Sequence, residues 1–265
     1  MNTDTKTTKI NWRERLIAAA IHFLLTLCVA GLAAALIFLV WFPGALAEMA
    51  GGTKLFRMVV GIDLALGPLI SLVIYNSAKP KRELIADYSI VALVQLAALI
   101  YGVWVVAASR PVFVAFALDR YEIVAAIELD DADIAAANPE FRSKSWWGPR
   151  YVFMQQPGDE KERQAMLDSA LAGKDGYLMP KYYRDFDSGR PLALAKSAAL
   201  EDLLKGSGTA ARSIEAAVAN TGKSQAELRW LLVHHRFGFG IALIDSQTAL
   251  PLQYIAMDPT WLDKK

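Results

Sequence analysis

The run LIAAAIHFLLTLCVAGLAAALIFLVWF, residues 16–42, has His22 and Thr26 as its main polar side chains. A helix climbs about 1.5 Å per residue, so a hydrocarbon layer of about 30 Å needs roughly 20 apolar residues. This run is long enough to cross a membrane. Two further stretches meet the same length: about Leu55 to Tyr75, which contains Arg57 and Asp63, and about Tyr88 to Ala108, which contains Gln95. Most of the charge lies after them. The 265 residues are 54% hydrophobic and 21% charged, and a soluble domain can reach that apolar fraction, so the distribution carries the argument rather than the total. A net charge of +1 gives no general case for nucleic acid or for an acidic partner. Cys28 is the single cysteine, so one chain holds no disulfide framework and no cysteine-based zinc site.

Basic residues set the expected orientation. Lys6, Lys9, Arg13 and Arg15 precede the first span, and Lys79, Lys81 and Arg82 crowd the second loop. The first loop has only Lys54, with Arg57 at the helix edge, close enough to snorkel. Basic loops stay in the cytoplasm. Residues 1–15 are therefore expected to form a cytoplasmic tail, and three spans place residues 109–265 outside. Trp12, Trp41, Tyr75, Tyr88 and Trp104 lie near the predicted span ends, where interfacial aromatics gather. A competing reading is signal-peptide cleavage at Ala45-Leu46-Ala47. The apolar run of about 27 residues is too long for a signal h-region of roughly 7–15, so a retained span is favoured. Cleavage would leave the sidedness unchanged.

Asp63 is the most unusual residue. A carboxylate at mid-membrane costs about 2.5–3.5 kcal/mol on insertion scales and should face the bundle interior. Counted from the span ends, Asp63, Thr26 and Tyr101 share a depth of roughly 18 Å, while His22 and Gln95 share one of about 10 Å. Depth matching predicts two contacts: Asp63 with Tyr101 or Thr26, and His22 with Gln95. Such contacts either fix the bundle or form a relay or a polar recognition site for another helix. One acidic residue is poor equipment for transport, which favours the structural role. Gly31 with Ala35, Gly61 with Ala65, and Ala98 with Gly102 have the spacing of close helix contacts. Gly67-Pro68 predicts a kink, because proline removes a backbone hydrogen bond.

After Arg110-Pro111 the pattern changes. Val112 to Leu118 and Tyr121 to Ile127 read as strands, Asp130 to Ala137 as a short helix, and Tyr151 to Gln155 as a strand after the turn Trp146-Trp147-Gly148-Pro149. Asp159 to Ala172 and Leu192 to Leu204 read as helices, with a loop from Lys174 to Arg190 between them. Gly206-Ser207-Gly208 ends the second of these, and Thr209 caps a further helix to about Asn220. Arg229 to His235, Phe239 to Asp245 and Leu252 to Met257 form a predicted β-meander. The expected fold is a membrane protein: a three-helix transmembrane bundle followed by an α+β soluble domain with a mostly antiparallel sheet.

The residues give no catalytic pattern. His234 and His235 are adjacent in a predicted strand, so they point to opposite faces and cannot readily chelate one metal. Asp130, Asp131 and Asp133 lack the glycine and glutamate of a calcium loop, and they more simply supply negative charge at a helix start. No cofactor and no enzymatic activity is expected. Trp146 and Trp147 read as packing residues, in a core or at an interface.

Several segments together resemble the TfpX/TfpZ family of type IV pilin accessory proteins. They are Val40-Trp41-Phe42-Pro43, Ala50-Gly51-Gly52, and Gly61-Ile62-Asp63-Leu64-Ala65-Leu66-Gly67-Pro68-Leu69. Val94-Gln95-Leu96-Ala97-Ala98-Leu99-Ile100-Tyr101-Gly102, Arg110-Pro111-Val112 and Phe116-Ala117-Leu118-Asp119-Arg120-Tyr121-Glu122 complete the set. The resemblance covers roughly residues 16–156. It implies a bacterial inner-membrane protein, its C-terminal domain periplasmic, that assists assembly of a particular major pilin into type IV pili. The partners implied are the pilin's transmembrane helix and globular head, besides the lipid bilayer. The alternative is a membrane-anchored sensory or ligand-binding subunit, against which the short cytoplasmic portions argue. A small transporter is disfavoured by the single carboxylate.

Overall fold

The computed structural model describes residues 11–206 and 211–256. Lys6, Lys9, Ser207, Gly208, Thr209 and Met257 therefore lie outside the described residues. Two compact units emerge: Met1–Leu36 with Lys54–Val106, and Ile37–Thr53 with Ala107–Lys265.

The first unit is helical. Helix α1 spans Trp12–Ala35 and passes into a π-helical segment, Leu36–Trp41. A short α2, Leu46–Met49, lies in the connection to α3, Gly52–Ile74, and α4 spans Lys81–Ala108. The three long helices are long and apolar enough to cross a membrane. Helix α4 starts before the predicted Tyr88 because its first turns, from Lys81 to Asp87, are polar but still helical. Apolar side chains such as Leu32, Val73 and Leu93 are exposed, as lipid-facing residues should be. Helix α3 runs unbroken through Pro68.

Residues 37–53 belong to the second unit. Ile37, Phe42, Leu46 and Met49 are all at most 2% exposed. Trp41 is buried too, 6.0 Å from the ring of Trp146, so it serves that core rather than the lipid interface expected of it. Gly51, with φ near +80°, lies where a Cβ would meet the Phe237 ring at 2.6 Å. Helix α2 packs on the last strand of the sheet. Residues 37–53 pack with the described residues from 107 to 256 in one compact unit, and the chain between them holds two helices of spanning length. These are α3 and α4, an even number of spans.

The sheet has eight strands. They are β1 (Pro111–Ala117), β2 (Arg120–Ala125), β3 (Arg150–Met154), β4 (Tyr183–Asp185), β5 (Ala198–Ala199), β6 (Leu228–His235), β7 (Gly238–Asp245) and β8 (Pro251–Ala256). The order is β4-β3-β1-β2-β6-β7-β8, with β5 on β6. The β1–β3 and β2–β6 pairings are parallel, and the other five are antiparallel. Every residue of β1 is buried, which explains its continuous apolar reading. Between the strands lie α5 (Asp131–Ala136), α6 (Glu160–Leu171), α7 (Phe186–Lys196), α8 (Leu200–Gly206) and α9 (Ala211–Thr221).

The stretch from Lys174 to Leu204 departs from its sequence reading. The expected loop contains β4 and the start of α7, and the expected single helix is two helices broken by β5. Asp185 caps α7 by accepting from the Asp187 N–H at 2.9 Å, and this starts the helix well before Pro191. The break is held from afar: Arg229 Nε donates to Ser197 Oγ at 2.5 Å, and Ala198 pairs with Trp230. The three acidic residues before and in α5 are partly neutralised by Lys174, which bonds Asp130 at 2.8 Å and also reaches Asp133.

Candidate intramembrane site

Helix α1 carries His22, and both of its ring nitrogens are engaged. Nδ1 lies 2.5 Å from Ser71 Oγ of α3, and Nε2 lies 2.8 Å from Gln95 Oε1 of α4. One imidazole thus ties three helices. Gly67 makes the room. A Cβ at Gly67 would stand 2.6 Å from Gln95 Nε2 and 3.0 Å from His22 Nε2. The Gly67-Pro68 pair therefore serves clearance beside this cluster, with the helix continuous through it.

The structure brings together some of the polar residues singled out from the sequence and not others. His22 and Gln95 meet directly. Thr26 Oγ1 donates to the His22 carbonyl of its own helix at 3.0 Å. Tyr101 is 66% exposed and packs on Trp104, ring centroids 6.0 Å apart. Among the described residues no hydrogen bond joins Asp63 to Thr26 or Tyr101, which corrects that expectation. Depth fixes only one coordinate of a helical residue; its angle around the axis fixes the other, and Tyr101 faces outward. Among the small residues, Gly102 lies against Val59 of α3, whereas Gly31 and Gly61 have nothing nearby. Ser71 was missed. Its signal was modest: a small polar residue one turn after Gly67, on the same face.

Asp63 instead lines a cavity of about 280 Å³ with His22, Thr26, Gln95 and Leu99. A neighbouring cavity of about 370 Å³ is lined by Ile21, Leu25, Tyr75, Tyr88 and Ala92. The two share His22, Leu25, Ala92 and Gln95, so they form one lateral groove between α1 and α4. Its walls are apolar and its floor is polar. Two buried atoms beneath it, Gln95 Nε2 and Tyr88 Oη, have no hydrogen-bond partner among the described residues. Both are donors enclosed by protein, with Gln95 Nε2 turned toward Gly67 of α3.

The His22–Gln95 contact should be measurable. A double-mutant cycle with His22→Ala and Gln95→Ala, read by unfolding in detergent, is expected to give a coupling of about 0.6 kcal/mol and at most about 1.7. A coupling of zero would mean that the pair does not hold the helices.

A second polar cluster lies in the α+β unit. Glu122 of β2 is 1% exposed; it accepts from Arg120 Nε at 2.7 Å and lies 2.6 Å from His234 Nδ1. Burial pushes its carboxyl above the usual range, against the pull of His234 and Arg120. The His234 ring lies 4.6 Å from Phe239 and 6.2 Å from Tyr177. His235 is buried, and desolvation lowers its pKa. Among the described residues no group of three or more His, Cys, Asp or Glu is placed to hold a metal ion.

These features define a class: a three-span membrane protein whose helices leave a polar-floored lateral groove, joined to an α+β domain. The family model described as "Fimbrial assembly protein FimB" matches residues 10–51, the first span and the loop that completes the α+β core. The serogroup I fimbrial assembly protein of Dichelobacter nodosus is 34% identical over 180 residues, covering 66% of this chain and 70% of its own length. Its serogroup E1 counterpart is 33% identical over 180 residues, with the same shares. The protein of serogroups C1 and C2 is 42% identical over 116 residues, 42% of this chain and 88% of its own. The chain belongs to the family of fimbrial assembly proteins. No solved structure matches it.

Proposed function

We propose that this protein assists assembly of type IV fimbriae by holding a major pilin in the bacterial inner membrane before it is added to the fibre, as the TfpX/TfpZ resemblance implies. Membership of the fimbrial assembly family supports the process. The lateral groove between α1 and α4 is the observation that supports the holding mechanism. An apolar transmembrane helix fits such a groove by packing against its apolar walls. The α+β domain stands in the periplasm, where it meets the pilin head. The role is non-enzymatic: contacts of this kind hold and release a helix without chemistry.

The test is affinity capture of this protein from detergent-solubilised membranes with the native pilin present. The pilin is expected to co-purify, and deletion of this protein is expected to lower surface fimbriae. Normal fimbriation with no association would overturn the proposal. Asp63 provides a finer test. Asp63→Asn keeps the shape and removes the charge, so unchanged protein level with reduced pilin capture would assign the carboxylate to recognition. Unchanged level and capture would assign it to neither.

A further inference from the structure

We propose that Trp147 is a lipid-interface anchor that seats the α+β domain on the bilayer surface. The argument starts from the turn Ser145-Trp146-Trp147-Gly148. Trp146 is clamped between the Arg110 guanidinium, 3.7 Å from its ring centroid, and Trp41. Arg110 also donates from Nε to the Ser145 carbonyl at 2.9 Å, from Nη2 to the Lys144 carbonyl at 3.2 Å, and from Nη1 to the Ala107 carbonyl at 2.6 Å. On the other side of the turn, Gly148 lies close enough to the Val40 carbonyl that a Cβ would stand 3.4 Å away.

All these residues belong to the second unit, and two of them mark span ends. Trp41 is the last residue of the first span, and Arg110 follows the last residue of the third, Ala108, by two. The turn is therefore fastened to the chain just beyond two spanning helices. Its remaining side chain is Trp147, 86% exposed. An indole this exposed is unusual on a domain surface, whereas the membrane–water interface favours it: its ring takes the apolar side and its N–H the wet side. The occupant that fits is thus the headgroup and upper-acyl region of the bilayer.

The experiment uses the full chain in vesicles of phosphatidylethanolamine and phosphatidylglycerol. In a Cys28→Ala background, Trp147→Cys carries the nitrobenzoxadiazole fluorophore, and Leu171→Cys, a second exposed site at 88%, serves as the aqueous control. Position 147 is expected to show blue-shifted emission, strong quenching by shallow spin-labelled lipid, and loss of most of the iodide quenching seen at position 171. Equal iodide quenching at both positions overturns the proposal. So does a position 147 shielded from iodide but untouched by the labelled lipid, since a protein contact would then cover it.

Discussion

Phe42→Ala is expected to destabilise the α+β domain by about 3–5 kcal/mol, the usual cost of emptying a large aromatic site in a packed core. Phe42 follows directly on the π-helical end of the first span, and its N–H bonds the Ile37 carbonyl at 2.8 Å. The side chain is fully buried. Gly52 lies against the ring so closely that a Cβ there would stand 2.8 Å from it. The surrounding chain is pinned by the Trp41–Trp146 contact and by α2 on β8, so the site cannot collapse. Denaturant unfolding in detergent, followed by tryptophan fluorescence, measures the loss. Leu39→Ala is the control: this side chain is exposed, and its truncation should stay within roughly 0.5 kcal/mol. Equal effects of the two substitutions would mean that residues 37–53 are not part of the core.

The second large effect concerns Glu122. Replacing both of its partners, Arg120→Leu with His234→Phe, leaves a buried carboxylate without compensation, which costs about 3–5 kcal/mol. Phenylalanine keeps the ring contacts with Phe239 and Tyr177. Adding Glu122→Leu should recover most of the loss, because an apolar side chain needs no partner there. The pH dependence has a definite sign. Glu122 already titrates above its ordinary value, so its protonated form is the one that folding favours. Its contribution is fully present below the unfolded-state value and is lost as pH rises through the folded-state value. Losing the two groups that pull it down raises that value further. The deficit of the double variant is therefore expected to shrink as the pH is lowered from 8 to 5, and the triple variant should not show this trend. A deficit independent of pH would place its cause in packing rather than charge.

Much of this architecture is legible in the sequence, and the physical reasons are local. Three apolar runs of spanning length leave helices as the only solution in lipid, and the meander from Leu228 to Ala256 shows in apolar runs separated by short turns. What escaped depended on distant partners. Nothing near Ala198 announces a strand, because β5 exists by pairing with β6. Trp41 reads as an interfacial aromatic until Trp146 is brought to it. Within the membrane, counting residues gives depth but no direction around the helix. That is why His22 and Gln95 meet, whereas Tyr101 faces away from Asp63 and Ser71 was overlooked.

Because the α+β core is stitched from two separated stretches of chain, its completion waits on biosynthesis. Residues 37–53 emerge first, carrying Ile37, Phe42, Leu46 and Met49 toward a core that does not yet exist. Roughly 200 residues must still be made, about 10–40 s of synthesis at 5–20 residues per second. Over that interval the helical hairpin of α3 and α4 must be threaded into the membrane, so that insertion precedes domain closure. A truncation product that begins after α4 would carry every strand of the sheet and still lack the plug that fills it.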